Sequence, residues 1–295
     1  MNGFAIINKP VDMSSSDVVI KCRNALSKAI NQKIKCGHMG TLDPMASGVL
    51  IVAFGNTTRL FDYLLDKEKS YIAIFVFGEE RDTLDATGKT TAFSNLPDYK
   101  DIENLIDSFV GVIEQVPPKY SAVNINGKRA YDLARSGKEF DIKAKKVRID
   151  KIKILSKELI DDKCKEIKLE IECGGGTYIR SICRDIAYKT NTLAFMSALE
   201  RISCGGYSTK DSCELNDFLT APLNNIKDTK ELLAKIMPTI SLNDIEYKKI
   251  RNGQIVKKDI KDGLYGAEYN KKLCFIIKAC EGQIKSDCFL EEANE

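Results

Sequence analysis

The chain has 295 residues, 43% of them hydrophobic, and a formal net charge of +3. That is enough apolar material for one large core with a small appendage, and no apolar run approaches the roughly 18 residues of a membrane span. Ten scattered cysteines without a C-x-x-C pair, and a single histidine, His38, argue against a disulfide framework and a zinc site.

In chain order, Phe4–Ile7 reads as a short strand closed by Asn8-Lys9-Pro10, with no basic leader before it. Ser14-Ser15-Ser16 offer N-caps to a helix that carries Val18, Cys22, Ala25, Leu26 and Ala29 at helical spacing. The loop GHMGTLDPMASG follows at residues 37–48, and then Val49–Phe54, uniformly apolar as a strand buried on both faces is. Residues 57–65 read as a short helix, Ser70–Phe77 as a strand and Asp101–Phe109 as an amphipathic helix. Between Lys119 and Arg148 nine Lys/Arg stand against three Asp/Glu, a local +6, so the remainder sums to −3. A polyanion would be attracted to such a cluster, and a solvated lysine-rich loop would show the same charge.

Glu166–Glu172 alternates polar and apolar residues, as a half-buried strand does. Gly174-Gly175-Gly176 breaks it, and Thr177 is placed to cap a helix running to about Lys189. Past Met237-Pro238, turns at Asn252-Gly253, Asp262-Gly263 and Glu281-Gly282 separate short strand-like segments. Strands and helices mix without a steady βαβ rhythm, so the expected class is α+β, with domains at 1–236 and 237–295. The G-x-G-x-x-G and P-loop patterns are absent, and no cofactor or metal is expected.

Two side chains stand out. Asp43 precedes Pro44, which pushes it toward extended geometry, and Gly37, Gly40 and Gly48 leave room for a molecule to approach. A turn aspartate and a rigid reactive carboxylate both fit that pattern. Arg180 falls in the first turn of the later helix, where the helix dipole disfavours a cation by a few tenths of a kcal/mol. A partner anion would reverse that penalty, and an Asp43–Arg180 pair would keep Asp43 ionised. Tyr71, in KSYIAIFVFG, is either an ordinary sheet aromatic or a ring on which a base stacks.

GHMGTLDPMASGVLIVAFGNTTR closely resembles the catalytic motif of the bacterial tRNA pseudouridine-55 synthases, the TruB type. FAIINKPVDMSSSDVV, DKEKSYIAIFVFGEERDTLDATG, PPKYSAVNINGKRAYDLARSG and GGGTYIRSICRDIA resemble further blocks of that family, in order, across about residues 3 to 210. The resemblance implies a mixed-sheet catalytic domain with a small PUA-like tail, and isomerisation of uridine in the T arm of tRNA. It implies a catalytic set of Asp43, Tyr71 and Arg180, with Tyr71 against the target base and Arg180 paired with the aspartate. His38, Lys9 and Tyr178 are then RNA-side residues of the site. The basic window, with Lys128, Arg129 and Lys145, corresponds to the insertion that clasps the T arm. A cytoplasmic enzyme without guide RNA, membrane or obligate protein partner follows from the same likeness. A non-catalytic tRNA-binding protein and a synthase for another RNA are the alternatives. Two departures stand in the blocks: Arg81 before Asp82-Thr83, where the family has threonine, and Gly174, where it has serine.

Overall fold

The computed structural model describes residues 1–65 and 67–291; residues 292–295 of the expected C-terminal domain lie outside them. Among the described residues the body is built on a mixed sheet of ten strands. Its main path runs Cys213–Glu214, Gly3–Lys9, Ser47–Phe54, Ala194–Cys204, Lys69–Phe77, Lys163–Cys173, Lys145–Ile160 and Gly111–Gln115. Two pairings on that path are parallel, Gly3–Lys9 with Cys213–Glu214 and Ser47–Phe54 with Ala194–Cys204.

The apolar run at residues 49–54 is buried on both faces, and the two faces meet different cores. Leu50, Val52 and Phe54 join Val18, Cys22 and Leu26 of the Ser15–Ala29 helix and Ile182, Cys183 and Ile186 of the Ile179–Lys189 helix. Val49, Ile51 and Ala53 point the other way, to a layer shared with Phe4, Ile6, Leu60 and Leu64. Period-two side-chain alternation produces this division directly. Ser14 caps the first helix with a full capping box to Asp17.

The second helix starts one residue later than Thr177 suggested. Tyr178 is the N-cap, and the Thr177 hydroxyl donates instead to the Gly174 carbonyl at 3.0 Å. The basic window is likewise more ordered than its charge implied. It holds a small ribbon, Asn124–Ile125 with Lys128–Arg129, and a short helix, Ala130–Arg135. It ends in the long strand Lys145–Ile160, which pairs with Lys163–Cys173.

A curled five-stranded sheet of PUA-like form occupies the C-terminal segment. Phe275, Ile277, Ala279 and Tyr247 build its own core, whereas Leu273, Ile276 and Leu290 join the second layer of the body. Hydrogen bonds reinforce the seam, from Asn56 Nδ2 to the Leu290 carbonyl at 2.6 Å and from Tyr63 to Asp287. No helix among the described residues is long and apolar enough to cross a membrane.

Candidate active site

The 37–48 loop lies at the meeting of the Ser47–Phe54 and Ala194–Cys204 strands, which approach so closely at Gly48 that a side chain could not fit. A Cβ there would stand 2.3 Å from the Arg201 carbonyl oxygen, at a φ of +102°. Asp43-Pro44-Met45-Ala46 is a tight turn closed by the Ala46 amide on the Asp43 carbonyl at 3.0 Å, with proline in the second turn position. Four other carbonyls of the stretch take a donor from elsewhere in the chain. Arg201 supplies Gly40 and Thr41, Ser15 supplies Leu42, and Lys9 supplies Pro44. Ser15 also accepts the Leu42 amide at 2.8 Å, so the residue before Asp43 is held at both peptide ends.

The Asp43 side chain is about one-third exposed (32%), whereas that of Arg180 is 6% exposed beneath it. Arg180 Nε lies 2.9 Å from Asp43 Oδ2, and Nη2 donates to Oδ1 at 3.1 Å, a two-point grip. The remaining donors reach Asp85 Oδ2 at 3.3 Å, the Thr83 carbonyl at 2.9 Å and the Tyr120 carbonyl at 3.1 Å. Asp85 is fixed in turn by the Thr83 and Thr87 hydroxyls and the Thr87 amide. The cation at the start of a helix thus faces two carboxylates, which outweigh the adverse dipole. Burial, with a smaller push from Asp85, moves the Asp43 carboxyl above its ordinary range, and Arg180 opposes that rise.

Tyr71 sits in the middle of the sheet, directly opposite Arg201 on one side and Ile171 on the other, and is 7% exposed. Burial raises its hydroxyl well above the usual phenol range, and Arg201 works against that rise. His38 leads into the loop, half-buried, with Nδ1 shielded and unpartnered and its pKa lowered by burial and then by Arg201. Tyr178 is placed by Gln115, a fully buried amide. Gln115 accepts the Tyr178 amide at 2.9 Å and donates to its carbonyl at 3.1 Å.

The RNA-side expectations divide by exposure. Lys128 and Arg129 stand on the surface of the basic insertion, and Lys145 places its amine 4.8 Å from the centre of the Tyr178 ring. Lys9 is 0% exposed. Its amine donates to the Pro10, Met13 and Pro44 carbonyls at 2.7, 2.5 and 3.2 Å. It therefore supports the loop from within, and burial lowers its pKa to about 8. Asp85, Ser15, Gln115 and Arg201 are members of the site that the sequence reading did not single out.

At the first of the two departures, Arg81 turns its guanidinium onto the Phe195 ring, 3.9 Å from the centroid, pairs with Glu79 at 2.9 Å and donates to the Ala86 carbonyl at 2.7 Å. A Cβ at Gly174 would meet nothing closer than 3.6 Å, so serine would fit there.

A family model described as "TruB family pseudouridylate synthase (N terminal domain)" matches residues 27–179. Among solved structures, a chain of "Crystal Structure of a Cbf5-Nop10-Gar1 Complex" superposes with a TM-score of 0.69 at 23% identity, covering 98% of this chain and 84% of that one. Body and curled sheet together have the pseudouridine synthase fold. A protein of Ehrlichia ruminantium named tRNA pseudouridine synthase B is 35% identical over 285 residues, 94% of this chain and 92% of that protein. One of the same name from Borreliella burgdorferi is 40% identical over 230 residues, 78% of this chain and 79% of that protein. The chain belongs to the TruB family of pseudouridylate synthases.

Proposed function

We propose that this protein converts uridine to pseudouridine at position 55 in the T loop of tRNAs, with Asp43 as the reacting carboxylate. The relatives named tRNA pseudouridine synthase B support tRNA as the substrate. The observation that carries the chemical reading is the Asp43–Arg180 pair: a carboxylate exposed on one side and gripped at both oxygens from below. In the reaction the N1–C1′ bond breaks, the base turns, a C5–C1′ bond forms, C5 loses its proton and N1 gains one. The atoms balance without any added group, and the base must leave its stack to reach a carboxylate fixed in the protein.

Arg180 keeps Asp43 charged and aimed, Tyr71 offers the neighbouring ring, and the loop's own carbonyl bonds prevent it from yielding as the base enters. Lys128, Arg129 and Lys145 meet backbone phosphates, His38 and Tyr178 border the displaced nucleotide, and Lys9 holds the Asp43-Pro44 turn. Residues 1–236 form the catalytic unit and 237–295 the accessory one. We read the enzyme as cytoplasmic and as working on tRNA without guide RNA or a protein partner.

Pseudouridine-specific sequencing of total RNA, with and without the protein, tests this reading. A new signal confined to the T loop of tRNAs is expected with the wild type and absent with Asp43→Asn. Signal at other RNAs, or from Asp43→Asn, would overturn it.

A further inference from the structure

Arg201 is 1% exposed, and none of its described hydrogen bonds goes to a carboxylate. The two carboxylates nearest the chemistry, Asp43 and Asp85, are taken by Arg180. Arg201 directs three of its donors to main-chain carbonyls: Nε to Val49 at 2.7 Å, Nη1 to Thr41 at 3.3 Å and Nη2 to Gly40 at 3.0 Å. Gly40 and Thr41 precede Asp43 and Val49 follows it, so one planar group closes the loop at both ends. Its own backbone lies in register with Tyr71 on one neighbouring strand and with Gly48 on the other.

A buried guanidinium is expensive to desolvate, and its retention calls for a return. Here the return is geometric. We propose that Arg201 is a positioning residue for the isomerisation, fixing the Asp43 loop against the row of the sheet that carries Tyr71. This assignment rests on Asp43 as the reacting carboxylate. The fork shape matters as much as the charge: an ammonium is a compact donor and cannot span carbonyls at both ends of the loop. A loop released at one end lets the carboxylate drift, and a displacement of about 1 Å can cost about 10²-fold in rate.

Arg201→Lys and Arg201→Met separate shape from charge, with wild type and Asp43→Asn run beside them. The expected result is T-arm affinity within about threefold of wild type for both variants. Single-turnover pseudouridine formation should fall about 10²-fold in Arg201→Met and clearly, though less, in Arg201→Lys. The sole histidine gives a readout apart from activity, since one imidazole signal reports one site. Arg201 lowers the His38 pKa, so the NMR titration midpoint of His38 should rise in Arg201→Met and stay near wild type in Arg201→Lys. A wild-type rate in folded Arg201→Lys overturns the geometric claim, even if Arg201→Met does not fold. Parallel loss of affinity and rate in both variants overturns it in favour of an RNA contact or a general structural role. Turnover by Asp43→Asn removes the premise instead, and is told apart because it does not involve Arg201.

Discussion

Asp43 and Asp85 share one arginine. Arg180 gives Nε and Nη2 to the two oxygens of Asp43 and Nη1 to Asp85, whose other oxygen is already held by Thr83 and Thr87. Asp85 thereby pins the far side of the guanidinium and holds Arg180 against pivoting beneath Asp43. Asp85→Asn keeps the volume and the threonine contacts but removes the charge. Turnover should fall by roughly tenfold or more, with T-arm affinity within about twofold, because the proposed phosphate contacts do not involve Asp85. Single-turnover rates alongside filter binding would check both halves.

The acid side of the pH profile follows from the same trio. Burial and Asp85 raise the Asp43 carboxyl, so the carboxylate proposed to react is lost as pH falls through a value above the ordinary 3.9 or so. The acid limb of kcat/KM should lie above that ordinary value. Because Asp85 contributes to the rise, Asp85→Asn should move the limb to lower pH. An unmoved limb would assign it to another group.

Lys9 should shape the alkaline side. Its amine loses its proton near pH 8 rather than 10.5, which weakens its three carbonyl bonds and loosens the Asp43-Pro44 turn. Activity should decline as pH rises through about 8, and Lys9→Met should be slow at every pH with that limb gone. Stability moves in the opposite sense. Between about 8 and 10.5 the unfolded chain still holds the proton that the folded one has released, so the Lys9 contribution to stability rises with pH. Denaturant titrations of wild type and Lys9→Met across that window would show it.

Tyr71→Phe separates stacking from proton transfer. The ring face remains, worth roughly 1–3 kcal/mol per stacked base, so affinity should persist. If the hydroxyl takes the C5 proton, turnover should drop by about 10²-fold or more. Burial disfavours the phenolate and Arg201 favours it, and release of tritium from C5-labelled uridine reads the outcome. A near-wild-type release would assign the proton to Asp43 or a water and leave Tyr71 as a platform.

Replacing Lys128, Arg129 and Lys145 with glutamine should weaken T-arm binding and flatten its salt dependence, by roughly 0.7–0.9 in the log–log slope per lost phosphate contact. Lys128 and Arg129, both exposed, should show this most plainly. An unchanged slope would mean that the insertion does not face the RNA.

Much of the frame was legible because it is local. The apolar run at 49–54, the alternation at 166–172 and the constrained Asp43-Pro44 dipeptide each declare themselves within a few residues. The Asp43–Arg180 pair was reachable because a cation at a helix start asks for an anion. Ser15 and Arg201 were not, because their bonds to Leu42 and Thr41 join positions 27 and 160 residues apart. Arg201 did leave a trace: it stands in phase with buried Leu199 on an alternating strand, where a charge is out of place. Asp85 was hidden among ordinary turn residues, and Thr177 looked like a cap because capping chemistry and a hydroxyl donating to a nearby carbonyl use the same residue type.

The two-faced strands carry a consequence for engineering. Phe4, Ile6, Val49, Ile51 and Ala53 contribute to the same layer as Leu273, Ile276 and Leu290, so the C-terminal sheet is not a detachable module. Grafting another tail onto this body would require redesigning residues that alternate along the strand with those facing the first core. A tail exchange is therefore also an edit of the strand on which the Asp43 loop is mounted.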